Sequence, residues 1–275
     1  MKEKLTEPTR FLAEKEAEVI ENIERPEDKE DFEGQKVLII GGPDAHGVSM
    51  AVSSALYLEK RGAEPTIYVG SPVIREGRGA THPGAFYCKT VPNLNVTNYD
   101  RLIIVDIPLD FRDLSGSEKA IIELDERLRQ DRQQRKKPPL EHSTFYLDHH
   151  STTQFTAPHD SILIKNVPIA EACKLGNDKT LIGRIGAICD RDPATLPITS
   201  EEMMLARGLD AAVRPDPDDE RPSLPKNASE EEKQNYQKQL REWEDRAQQR
   251  LEEAVKRLKA EDWSYFKKEA ERINQ

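Results

Sequence analysis

An aspartate and two histidines stand side by side in Phe145-Tyr146-Leu147-Asp148-His149-His150, directly after apolar residues with the character of a strand. Carboxylate and imidazole groups in such a position contribute little to packing, but they are good ligands for divalent cations. Three other stretches follow the same plan. Leu38-Ile39-Ile40 runs into Gly41-Gly42-Pro43-Asp44-Ala45-His46-Gly47, Leu102-Ile103-Ile104-Val105 ends on Asp106, and the apolar run from Leu181 to Cys189 ends on Asp190. Four clusters, each delivered by an apolar element, imply one metal site assembled from distant parts of the chain. Oxygen and imidazole donors suit Mn²⁺ or Mg²⁺ rather than a thiolate zinc site. Two such ions about 3.5–4 Å apart can share a carboxylate, lower the pKa of a water and stabilise charge on phosphorus. The chemistry such donors permit is activation of a bound water by a divalent cation.

The elements that must position these groups alternate between strand and helix. Lys36–Gly41 is an apolar run of the kind buried on both faces, and Gly47–Arg61 has helical spacing. Pro65–Val69 predicts a second strand, Phe86–Thr90 another, and Arg101–Ile107 a strong one. Ser117–Arg129 predicts an amphipathic helix, and Gln130–Pro139, with Lys136 and Lys137, a solvated basic linker. Strands are expected at Thr144–Leu147 and Ser161–Ile164, and two helical patterns between Val167 and Cys189. The pattern predicts an α/β fold with a doubly wound, mainly parallel sheet, followed by a charged, mostly α-helical C-terminal region. In such sheets ligands collect beyond the carboxyl ends of the strands, where Asp44, Asp106 and Asp148 fall. The expected domains are an N-terminal helical segment (1–33), the metal-binding α/β domain (34–213), a linker (214–228) and a helical region (229–275). In the last, Leu240, Trp243, Ala247, Leu251, Ala254 and Leu258 form an apolar stripe at helical spacing, and Trp263, Tyr265 and Phe266 are placed to dock its end.

Composition narrows the classes. The chain has 275 residues, 36% of them hydrophobic and 33% charged, with a formal net charge of −10. That sum argues against broad, nonspecific duplex DNA binding, which depends on Lys and Arg neutralising phosphates. No apolar run approaches the roughly 20 residues of a membrane span. The N-terminus is charged throughout, without the apolar core of a signal peptide. Cys88, Cys173 and Cys189 lack metal-ligand spacing and read as reduced core thiols of a cytoplasmic protein.

Over residues 34 to 195 these motifs resemble the DHH phosphoesterase superfamily, which includes single-strand exonucleases, oligoribonucleases, cyclic-dinucleotide phosphodiesterases and manganese-dependent pyrophosphatases. Asp44 and His46 correspond to its first motif, Asp106 to the second, Asp148-His149-His150 to the third and Asp190 to the fourth. The resemblance implies that Asp106 bridges two metals, that His46, His149 and Asp190 complete one of them, and that Asp44 holds the other. Asp148 would orient its neighbouring imidazoles and His150 would face the phosphate. Two departures stand out. Ile40 occupies the place of a family histidine, and His46 replaces a carboxylate. The site is therefore one charge less negative, which favours Mn²⁺ or another transition metal over Mg²⁺. A second ion would bind only together with substrate. The glycine-rich, basic segment with which the family grips a substrate's far phosphate has no counterpart after Asp190. A partner subunit supplies that grip, or the substrate lies in the single-domain cleft, or the sequence is truncated.

The implied function is a divalent-metal-dependent phosphoesterase acting on a short oligonucleotide or nucleotide-derived substrate through a metal-activated water. The alternative is a degenerate domain kept as a structural or binding subunit of a nucleic-acid or signalling complex, with the C-terminal helices docking a partner or a second copy. Duller readings stand beside the candidates. The Gly41–Gly47 turn lacks dinucleotide-binding spacing, and Asp192 either replaces Asp190 as a ligand or caps the turn before Pro193. His82, His142 and His159 read as loop residues, His159 being the best placed of the three to contact substrate. Arg184 and Arg191 read as helix-surface ion-pair partners.

Overall fold

Val37-Leu38-Ile39-Ile40 has no polar face, and the strand it forms is buried on both sides. The computed structural model describes residues 31–69, 94–109, 114–149, 160–166, 181–191, 195, 197–214, 219 and 222–273. Strand β1 (Lys36–Gly41) leads through a short turn into helix α1 (Ala45–Glu59), and β2 (Glu64–Val69) follows. Then come β3 (Arg101–Val105), α2 (Leu114–Gln134), β4 (Thr144–Asp148) and β5 (Ile162–Asn166). The helices α3 (Leu181–Cys189), α4 (Ser200–Val213), α5 (Glu230–Lys259) and α6 (Trp263–Arg272) complete the described chain. Among the described residues the strands form one sheet in the order β2-β1-β3-β4-β5, every neighbouring pair parallel.

Continuous apolar composition marks the central strands, as the sequence predicts. Each residue of β3 and β4 is buried, whereas β2 at the edge alternates between exposed and partly buried. Helix α2 covers one face, its Ile121, Leu124 and Leu128 packing with Leu38, Ile40, Ile104 and Tyr146. Helix α1 packs on β1 and β2. Val48 and Val52 of α1 share an apolar cluster with Ile185 of α3, Leu209 of α4, Leu251 of α5 and Phe266 of α6. Helices on both faces of a parallel sheet make this the doubly wound α/β fold expected, with a helical C-terminal region. Among the described residues, no helix is long and apolar enough to cross a membrane.

The charged C-terminal stripe finds its apolar partners within the chain. Trp243, Ala247, Leu251, Ala254 and Leu258 are buried, and Trp243 Nε1 donates to the Asp219 carbonyl at 3.0 Å while Arg246 grips the Asp219 carboxylate at 2.7 and 2.8 Å. Ser229 and Glu232 cap α5 reciprocally, and Lys256, Arg257 and Lys259 sit where the helix dipole favours cations. Helices α4 and α6 touch through backbone, since any Cβ at Gly208 would overlap the carbonyl of Phe266. Gly34–Gln275 forms one compact unit.

One sequence reading needs correction. Gln130–Pro139 is not merely a solvated linker. Helix α2 continues to Gln134, and Arg132, Arg135 and Lys137 converge on the carboxylate of Asp100, whose side chain is fully buried. The cations are drawn inward because Asp100 ties the start of β1 to the start of β3, accepting from the Lys36 backbone N–H at 3.0 Å. A second buried acid, Asp125, accepts three hydroxyls, from Ser143, Thr144 and Ser161, each at 2.6 Å. Both acids lie at the amino edge of the sheet, away from the groups considered next. The expected 1–33 helix lies almost wholly outside the described residues, as do the Phe86–Thr90 strand, His82, His150, His159, Asp192, Cys88 and Cys173.

Candidate metal centre

The strand order reverses between β1 and β3. The chain leaves β1 toward β2 on one side, and β3 lies on the other, so a crevice opens at the carboxyl ends of these two strands. Four elements deliver donors there. Asp44 and His46 follow β1, at the cap and first turn of α1; Asp106 follows β3; Asp148 ends β4 and His149 comes next; Asp190 follows α3. The turns bring backbones unusually close. Asp106 adopts φ 53°, in the left-handed region that an aspartate tolerates better than most residues. A Cβ on Gly42 would lie 2.5 Å from the Asp106 carbonyl oxygen, and one on Gly186 would lie 2.5 Å from Ser49 Cβ and 3.7 Å from His46 Cδ2. Glycine at these two positions lets β1 approach the β3 turn and lets α3 press against α1.

The side chains converge. His46 Nδ1 lies 3.1 Å from Asp106 Oδ1 and 3.8 Å from Asp190 Oδ2, and His149 Nε2 lies 2.9 and 3.4 Å from the same two atoms. The two imidazole centroids are 5.0 Å apart. Donors bound about 2.1 Å from one cation stand about 3.0 Å apart at adjacent octahedral positions and about 3.4 Å apart on a tetrahedron. The separations of 2.9, 3.1 and 3.4 Å match that arrangement and the fourth, 3.8 Å, is longer; Asp190 Oδ2 is buried without accepting a hydrogen bond. The residues present therefore fit a divalent cation. Fully buried Asp148 forms a second group with Asp106 and His149, their donor atoms within 4.8 Å of one another. Asp44 stands at the edge of this set, its Oδ1 accepting the Gly47 N–H at 2.8 Å.

Burial and crowding act unevenly on the carboxylates. Burial and the neighbouring Asp106 charge push the Asp44 carboxyl up to about 6, against the pull of the Gly47 N–H and His46. Burial would raise Asp106 too, but the His46 and His149 rings outweigh it and hold its carboxyl far below the usual range. Cys189 is no ligand candidate: burial raises its thiol, whose Sγ lies 3.4 Å from the Ala206 carbonyl oxygen.

The structure thus brings together His46, Asp106, His149 and Asp190, with Asp148 beside them and Asp44 at the rim, whereas His150 lies outside the described residues. His142 belongs to the opposite edge of the sheet, where its carbonyl accepts from Arg101 at 2.5 Å. Arg184 pairs with Glu202 and donates to the Thr195 and Pro197 carbonyls, each at 2.9 Å, closing the loop that leaves Asp190. Arg191 turns the chain there with φ 60°. Sequence reading overlooked why Gly42 and Gly186 matter; their only signal was a missing side chain beside each candidate donor. Gly42→Ala is expected to displace Asp106 and weaken Mn²⁺ binding by about 10-fold or more at unchanged helix content. A Mn²⁺ titration with the affinity of the parent protein would show that the turn absorbs the methyl group.

No family model matches the chain, and no curated protein matches it. Among solved structures it is similar to exonuclease RecJ bound to manganese, with 16% sequence identity and a TM-score of 0.40. The similarity covers 90% of this chain, which spans 65% of that one.

Proposed function

We propose that the chain is a divalent-metal-dependent phosphoesterase hydrolysing phosphodiester bonds in a short oligonucleotide or nucleotide-derived substrate. The observation that carries this reading is the meeting of two imidazole nitrogens and two carboxylate oxygens, from four separate elements, at the carboxyl edge of a parallel sheet. Mixed nitrogen and oxygen donors suit Mn²⁺ best among the hard divalent cations, ahead of Mg²⁺. His46, Asp106, His149 and Asp190 are the proposed ligands, with Asp44 flanking them.

Held there, a divalent cation supplies Lewis acidity that lowers the pKa of a water and offsets phosphate charge. The chain's own groups do the positioning. Asp148, buried beside His149, fixes the orientation of that ring. By the family resemblance, His150 would donate to the developing charge on the phosphate. Water attacks phosphorus, the bond from phosphorus to the leaving oxygen breaks, and that oxygen departs with a proton. No covalent enzyme intermediate forms.

Protein stripped of metal and then given Mn²⁺ is expected to turn over bis-p-nitrophenyl phosphate, and EDTA should abolish the activity. A protein that binds no metal and remains inert in Mn²⁺ would overturn the enzyme reading in favour of a degenerate binding subunit. Ile40, buried in β1 where the resembled family carries a histidine, is the observation on that side.

A further inference from the structure

Of the four proposed ligands, three are closed off from solvent and one is not. The side chains of His46, Asp106 and His149 are 3%, 1% and 8% exposed, whereas that of Asp190 is 32% exposed. Asp148 beside them is fully buried. Among the described residues, a phosphate therefore reaches the centre past Asp190. The next residue is Arg191, which is exposed. Its sequence context suggests an ion-pair partner on a helix surface, and the structure corrects this. Among the described residues the Arg191 guanidinium has no hydrogen bond and no ion pair. Arg184, in the helix before it, is engaged by Glu202 and two carbonyls.

The backbone adds a second observation. Helix α3 ends at Cys189, and the Arg191 N–H closes the turn on the Ile188 carbonyl at 3.1 Å. Arg191 sits there at φ 60°, the conformation that glycine or asparagine commonly takes after a helix. Lys136 and Glu261 take it after α2 and α5, so the angle by itself identifies no site. What sets Arg191 apart is its place, one residue beyond a proposed ligand, at the mouth of a centre that gathers the carboxylates of Asp106, Asp148 and Asp190. Those carboxylates repel an approaching phosphodiester, and a guanidinium at the mouth offsets them. Its planar fork pairs with two phosphate oxygens at once, which a lysine ammonium does not do. The cations drawn to Asp100 cannot serve, since they lie at the opposite edge of the sheet.

We infer that Arg191 is a substrate-binding residue that receives the non-bridging oxygens of the phosphate at this centre and so selects anionic phosphate esters. The inference deepens the proposed function and rests on its placement of the substrate phosphate here.

Arg191→Gly tests it, because glycine accepts φ 60° without strain and the fold is not put at risk. Mn²⁺ affinity and the melting temperature of the full chain should hold. KM for bis-p-nitrophenyl phosphate should rise about 10-fold or more, the worth of a hydrogen bond to a charged group, with a smaller change in kcat. Calorimetric titration of the Mn²⁺-loaded protein with adenosine monophosphate should show a similar loss of affinity. Guanidinium chloride well below denaturing concentrations should restore part of the turnover in the variant and none in the parent, and Arg191→Lys should fall between the two. Unchanged KM and unchanged monophosphate affinity in Arg191→Gly would overturn the inference and leave the hydrolase reading standing. Weakened Mn²⁺ binding in the variant would trace its effect to a displaced Asp190 and overturn the inference as well. A parent protein that neither turns over the diester nor binds the monophosphate would overturn both. Arg191-dependent binding of the monophosphate by an inert parent would uphold the contact and remove the enzyme.

Discussion

Asp106→Asn is expected to lower kcat/KM for metal-dependent phosphodiester hydrolysis by about a thousandfold, roughly 4 kcal/mol of barrier. The substitution is nearly isosteric, and asparagine also accepts the left-handed backbone found at φ 53°. What changes is charge at the point where both rings converge, 3.1 Å from His46 and 2.9 Å from His149. The fold should survive, because losing one acid relieves repulsion from Asp44, whose carboxyl Asp106 helps to raise. The loss should therefore appear with metal rather than without it. Metal at 100 times its dissociation constant stabilises the parent by about 2.7 kcal/mol. In Asp106→Asn the rise in melting temperature with Mn²⁺ should disappear while the metal-free value holds. A variant that still gains the full Mn²⁺ stabilisation would place the cation elsewhere.

The second large effect concerns stability alone. Asp100→Ala is expected to cost about 3–5 kcal/mol of unfolding free energy, the cost of breaking a buried ion pair by removing one partner. Three cations and a backbone N–H are left facing a cavity: Arg132 at 2.9 Å, Arg135 at 3.1 Å, Lys137 at 2.7 Å and Lys36 N at 3.0 Å. Lys137 is partly exposed, so solvent screening reduces its share. The sign of the pH dependence follows from the direction of the shift. Burial alone would raise the Asp100 carboxyl, but Lys137, the Lys36 N–H and Arg135 overcome it and hold it below the usual range. A depressed folded-state value means that its stabilisation is complete above the unfolded value of about 3.9 and is lost as pH falls through the folded one. Urea unfolding of parent and Asp100→Asn should thus differ most near neutral pH and converge in acid. A gap that stays constant down to pH 3 would show that the charge contributes nothing.

These two acids illustrate what a sequence reveals and conceals. Asp106 stands at the end of a four-residue apolar run, and a buried parallel strand that stops at a polar residue must deliver that residue to the sheet edge. Its place at that edge was readable for that reason, as were those of His46, His149 and Asp190. Asp100 precedes the same run and carries no comparable signal. Its partners lie more than thirty positions away, among charged residues that read as a solvated linker. The same limit hid Gly42 and Gly186, whose value is the space they leave for another segment.

By itself, the amino-acid order determined the strands, their parallel pairing, the helices between them and the edge at which the donors gather. Those features follow from local periodicity and from which stretches can bury both faces. The tertiary structure alone decided how many donors meet at one point, which charges are drawn inward and where backbones touch. Such outcomes depend on distances between segments remote in the chain, and local pattern carries no information about them.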